Sequence, residues 1–123
     1  MVAHQLSTKA ARVGFDWRNV DEIFDKLQEE IEELRAAIKD HSAVQDEANH
    51  ARVREEIGDL LFAATNIARH LQVEPEAALK LTNRKFRRRF RHIENALDAQ
   101  GKTFDSTSID EMENLWQEAK QKA

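Results

Sequence analysis

"LQEEIEELR", residues 27–35, decides how the rest of the chain is read. Its carboxylates Glu29, Glu30, Glu32 and Glu33 are interleaved with Leu27, Ile31 and Leu34 at three- and four-residue spacing. That is the period of an amphipathic helix, not of a strand. Val20, Ile23 and Phe24 continue the apolar register upstream and Ile38 continues it downstream. The pattern predicts a helix over about residues 20–39, with Asn19 as its N-cap. Acidic faces are common on solvated helices, so this stretch alone does not say whether its carboxylates hold anything. A second segment presenting acids on the matching face would decide it.

Outward from this helix, the spacing predicts a short helix over residues 5–13, ended near Gly14 and followed by the turn-like "GFDW" (14–17). The polar run "KDHSAVQDEANH" (39–50) is read as the next connection. A second long helix covers about residues 46–71, with Val53, Ile57, Leu60, Leu61, Ala64, Ala68 and Leu71 as its seam. Gly58 in its middle costs about 1 kcal/mol relative to Ala, which suggests something packed or bound close to the backbone. Pro75 suits the first turn of a third helix, and Gly101 suits its stop after Ala99. Leu79, Phe86, Phe90, Ile93 and Leu97 form its inward stripe. Ser108 and Glu111 read as a capping box opening a last helix with Ile109, Met112, Leu115, Trp116 and Ala119. No repeat or strand alternation interrupts this. The expected fold is all-α: a four-helix bundle with a short N-terminal helix, forming a single domain over residues 1–123.

The bulk composition agrees. The chain has 123 residues, with three Gly, one Pro and no Cys. That size fits one domain, and the absence of Cys excludes disulfides and thiolate metal sites while fitting a reducing cytoplasm. A formal charge of -4 argues against nucleic acid as the partner of the whole chain. No apolar run approaches the roughly 20 residues that span a bilayer, and "MVAHQLSTKAARVGF" lacks a signal-peptide core. A soluble cytoplasmic protein with no membrane partner is expected.

The second acidic segment exists. Glu30 and Glu33 each precede a seam residue, Ile31 and Leu34, and Glu56 and Asp59 precede Ile57 and Leu60 in the same way. Each pair is spaced i, i+3, so its members are neighbours on one face, about 100° from the apolar seam. In an antiparallel hairpin, residues of equal angular offset emerge on the same side. Four carboxylates would then converge along one rim and raise one another's proton affinity, a conflict that a cation resolves. An oxygen-only donor set favours Mg²⁺, with Mn²⁺ as a substitute, over Zn²⁺. The third helix adds a dense basic run over residues 80–91. Lys85 and Arg89 precede Phe86 and Phe90 with the same offset as the acids, which makes them candidates to face a polyphosphate.

"EEIEE" (29–33) fits an E-E-x-x-E signature and "EIGD" (56–59) fits E-x-x-D. "GFDW", "EEIGDLLFAATNIARHL", "NRKFRRRF" and "ENLWQEAK" complete the pattern. In these motifs the chain resembles MazG-type nucleoside triphosphate pyrophosphohydrolases of the all-α NTP pyrophosphatase superfamily, over about residues 10–121. It is most similar to the C-terminal half of their two-domain bacterial members. The resemblance implies Mg²⁺-dependent hydrolysis of nucleoside triphosphates between the α and β phosphates, giving a nucleoside monophosphate and pyrophosphate. It implies Glu30, Glu33, Glu56 and Asp59 as metal ligands, Lys85 and Arg89 as phosphate contacts with Asn83 as a helper, and Trp116 packed on the base. Glu29 completes the signature, to orient or deprotonate the attacking water. A homodimer is implied, with Trp116 reaching its base across the subunit boundary. Stacking tolerates any base, since each has a π face, so broad base choice and a role in nucleotide-pool control or house-cleaning are expected.

Other readings have weaker support. A non-catalytic helical adaptor binding nucleic acid through residues 80–91 conflicts with the net negative charge and the matched acidic pairs. A carboxylate-bridged iron bundle needs two Glu-x-x-His elements, and only "EANH" (47–50) is present. Glu32 is read as a surface residue. Phe15 and Trp17 are read as packing or subunit-contact residues, with a wall of the base pocket as the alternative. His41, His50, His70 and His92 show no ligand arrangement.

Overall fold

The computed structural model describes residues 2–122. It contains the helices α1 (Val2–Arg12), α2 (Val20–Ala43), α3 (Glu47–His70), α4 (Pro75–Ala99) and α5 (Ile109–Lys122). No strand occurs among the described residues, so the all-α expectation holds.

Local chemistry sets the helix ends. The Asn19 side chain accepts from the Glu22 N–H at 3.0 Å, the expected N-cap of α2. That helix runs on to Ala43, past the expected end at residue 39. Asn49 supports the extension: its Nδ2 donates to the Val44 carbonyl at 2.8 Å and the Asp40 carbonyl at 3.4 Å, a second donor to acceptors that the Asp46 and Val44 N–H groups already reach. Asp46 caps α3 by accepting from the Asn49 N–H at 2.8 Å. Only residues 44–46 therefore connect α2 to α3, and the two helices run antiparallel, with Asp40 paired to Arg52 at 2.7 Å. α1 ends in a Schellman turn at Gly14, whose φ is 91°, with the Phe15 N–H bonded to the Ala10 carbonyl at 3.0 Å. α4 opens at Pro75 with the Glu74 carboxylate accepting from the Glu76 and Ala77 N–H groups. It closes the way α1 does, at Gly101 (φ 67°). Ser108 caps α5 by accepting from the Glu111 N–H at 3.1 Å.

The chain forms two compact units, the first ending at Ala77 and the second beginning at Ala78. In the first, α2 packs along α3 and α1 packs on α3. Its core holds Ile23, Ala37 and Ala63, together with the polar residues Ser7, Glu30, Thr65 and Asn66. In the second, Ile93, Leu97 and Ala119 are buried.

The expected seams need correction. Phe24, Ile38, Ile57, Leu61, Ala64 and Leu71 are exposed, as are Leu79, Phe86 and Phe90. In α2 the buried positions are Ile23, Glu30 and Ala37, recurring every two turns. The interhelical face is thus rotated from the apolar stripe toward the acids and small residues, and much of the stripe lies on the outside of the hairpin. Gly58 was expected to mark a close approach, but a Cβ there would meet nothing within 4 Å.

Candidate metal and nucleotide site

The α2–α3 hairpin brings Glu30, Glu33 and Glu56 together, with one carboxylate oxygen of each within 4.8 Å of the others. Glu30 is 3% exposed, an unusual position for a carboxylate unless it is paired. Lys26, one turn earlier on α2, supplies the pairing: its Nζ lies 2.9 Å from Glu30 Oε1. That bond outweighs burial and holds the Glu30 carboxyl below the ordinary carboxylate range, while Glu30 raises the Lys26 ammonium in return. Glu56 responds in the opposite sense. Burial pushes it up, and its neighbours Glu33 and then Glu30 push it further, the signature of like charges sharing one site.

Glu30 Oε2 and Glu56 Oε2 are both buried without a hydrogen-bond partner. Such orphaned acceptors are costly. A trio of carboxylates with two unpartnered buried oxygens and no nitrogen or sulfur donor suits a hard divalent cation. Glu30, Glu33 and Glu56 can hold it.

A cleft of about 640 Å³ opens beside the trio. Lys26, Glu30, Asp59, Phe15, Trp17 and Asn66 are among the residues that line it. Asp59 is exposed and lies outside the trio. Glu29 points outward, with its side chain 56% exposed and 3.5 Å from Lys26. Lys26 and Asn66 were not singled out in the sequence. Lys26 was legible there as an i, i+4 partner of Glu30, and Asn66 as the residue two turns beyond Asp59 on the same face of α3.

The remaining sequence candidates belong to the second unit. Asn83 and Lys85 are exposed on α4. Arg89 is half-buried, its guanidinium lies 5.6 Å from the centre of the Trp116 ring, and its Nε is buried without a partner. Phe86 also packs on Trp116, with ring centres 5.3 Å apart. Phe90 in turn stacks with Phe86 and Phe104.

A helical hairpin that gathers carboxylates beside a cleft defines an all-α protein with a candidate divalent-metal centre. Within that class the chain belongs to the MazG nucleotide pyrophosphohydrolase domain family, which it matches over residues 18–94. It is 40% identical over 120 residues to the nucleoside triphosphate pyrophosphohydrolase of Escherichia coli strain K12, an alignment covering 98% of this chain and 44% of that protein. It is 34% identical over 119 residues to the nucleoside triphosphate pyrophosphohydrolase/pyrophosphatase MazG of Thermotoga maritima, covering 97% of this chain and 43% of the relative. The uncharacterized protein YabN of Bacillus subtilis is 46% identical over 76 residues, 61% of this chain and 16% of its own length. The chain thus spans less than half the length of these curated relatives. No helix among the described residues is long and apolar enough to cross a membrane.

Proposed function

We propose that the chain hydrolyses nucleoside triphosphates between the α and β phosphates, releasing a nucleoside monophosphate and pyrophosphate. The observation that carries this reading is the Glu30–Glu33–Glu56 trio, with two unpartnered buried oxygens, opening beside a nucleotide-sized cleft. Glu30, Glu33 and Glu56 would hold Mg²⁺, or Mn²⁺ in its place, which would supply neutralisation of the triphosphate and of the charge growing on the departing pyrophosphate. Asp59 completes the ligand set from the cleft wall. Glu29 orients or deprotonates the attacking water. Lys85 and Arg89, helped by Asn83, take phosphate oxygens, which would satisfy the buried Arg89 Nε. Trp116 stacks on the base, and stacking gives broad base choice. A role in nucleotide-pool control or house-cleaning in the cytoplasm follows from that breadth.

The working form is a homodimer. Phe24, Ile38, Ile57 and Leu61 leave an apolar stripe on the outside of the hairpin, and exposed apolar patches of this kind mark association surfaces.

The test is incubation with each common nucleoside triphosphate and Mg²⁺, followed by product analysis. Pyrophosphate and the monophosphate are expected, without orthophosphate. The double variant Glu56→Ala/Asp59→Ala should lose turnover while keeping its helicity; an active double variant refutes the ligand assignment.

A further inference from the structure

The Asp16 side chain ties the segment between α1 and α2 to α3. Asp16 gathers donors from both directions. Its Oδ1 accepts from the Trp17 N–H at 2.8 Å, from His70 Nε2 at 3.0 Å and from an Arg69 terminal nitrogen, while Oδ2 accepts from the other Arg69 terminal nitrogen at 3.1 Å. A carboxylate only accepts, so Nε2 is the protonated nitrogen of His70 here. Arg69 also donates to Asn66 Oδ1 at 3.1 Å, and Asn66 Nδ2 donates to the Phe62 carbonyl at 3.2 Å. The Arg69 and His70 side chains are 13% and 16% exposed and that of Asp16 is 25%, so the clamp is sheltered from water on most sides.

The clamp adds polar anchoring beside two rings that burial holds only in part. Phe15 is 81% exposed and Trp17 is 37% exposed, yet both line the cleft. Phe15, largely open, gains little from the hydrophobic effect, whereas Trp17 is covered over most of its surface. Polar anchoring at the adjacent Asp16 therefore acts together with packing in setting where the Trp17 ring stands. The anchor lies on the helix that carries Glu56 and Asp59. Arg69 is ten residues beyond Asp59, about 15 Å along the axis, a length on the scale of an extended nucleotide.

We infer that Asp16, clamped by Arg69 and His70, is a positioning residue that fixes Trp17 as the wall of the cleft against which the nucleoside part of the substrate rests. The inference deepens the nucleotide reading of the cleft and rests on it. Asp16 lines the cleft but lies outside the Glu30–Glu33–Glu56 trio. Its loss should weaken ground-state binding and leave the chemical step in place.

The experiment compares Asp16→Asn, Arg69→Met and His70→Gln. Kinetics with ATP and Mg²⁺ use the otherwise unaltered chain. Accessibility of Trp17 to acrylamide is measured in a Trp116→Phe background, where it is the sole tryptophan of the two in the sequence. Asp16→Asn and Arg69→Met should raise KM roughly tenfold with kcat within about twofold and make Trp17 more quenchable, with far-UV circular dichroism unchanged. His70→Gln keeps the Arg69 pair and should show a smaller shift in the same direction, which preserves the test if the stronger variants fail to fold. Unchanged Trp17 quenching, or a fall in kcat at constant KM, overturns the inference. If the parent releases no pyrophosphate, the nucleotide reading fails, and the quenching result still decides whether Asp16 positions Trp17.

Discussion

Lys26 Nζ lies 2.9 Å from Glu30 Oε1, so the most buried carboxylate of the trio carries its own counter-cation one helical turn upstream. Lys26→Met would leave Glu30 buried and unpaired. Without divalent cation at neutral pH this should destabilise the protein by about 1 kcal/mol; the modest figure reflects screening of Lys26, whose side chain is 37% exposed. The folded-state value of Glu30 is lowered, so the pair's contribution is present above the ordinary carboxylate range and is lost as pH falls through that lowered value. Thermal melts of parent and variant should therefore converge on acidification, and Mg²⁺ should recover more of the melting temperature in the variant.

Glu56 is the opposite case. Its folded-state value is raised by burial and then by Glu33 and Glu30. For an acid this means that the contribution is present below the ordinary value and is lost as pH rises through the raised one. In EDTA, Glu56→Gln should melt above the parent at pH 8 and level with it at pH 4. A divalent cation competes with protons for the same oxygens, so added Mg²⁺ should raise the parent's melting temperature more at pH 8 than at pH 5. It should do little for Glu56→Gln. An equal Mg²⁺ gain in parent and variant would remove Glu56 from the ligand set.

Leu61 is 63% exposed and Ile57 is 43% exposed on α3. Leu61→Glu places a charge on the proposed subunit surface, where desolvating it is expensive. Sedimentation should show the parent as a dimer and the variant as a monomer with unchanged helicity. A dimeric variant would place the interface elsewhere.

Gly101 closes α4 at φ 67°, with open space where a Cβ would project. Gly101→Ala meets no steric obstacle there, so its penalty is backbone strain alone, about 1 kcal/mol. A melting temperature lower by a few degrees is expected, with pyrophosphate release at saturating substrate unaffected.

The helices were legible because their periodicity and punctuation agree: Asn19, Pro75, Gly101 and Ser108 all act where the sequence places them. The extension of α2 to Ala43 was not legible, because its support from Asn49 reaches back from the following helix. Of the four acids with equal offset, the hairpin brings Glu30, Glu33 and Glu56 together and leaves Asp59 outside the cluster. Burial was misjudged. Apolar spacing marks a face that seeks cover but does not say what covers it. Within one chain, Phe24, Ile38 and Leu61 remain open while Glu30 and Asn66 turn inward. The Asp16 clamp was hidden for a different reason. Asp16 is far from Arg69 and His70 in sequence, and no spacing rule reaches across that separation.

The connection at residues 44–46 is so short that all three clustered acids belong to one uninterrupted hairpin, residues 30–56. Such a hairpin is a self-contained cassette. New segments spliced on at either end leave the register of its acids untouched. One extra residue in the bend, carried into α3, would swing Glu56 about 100° away from its companions.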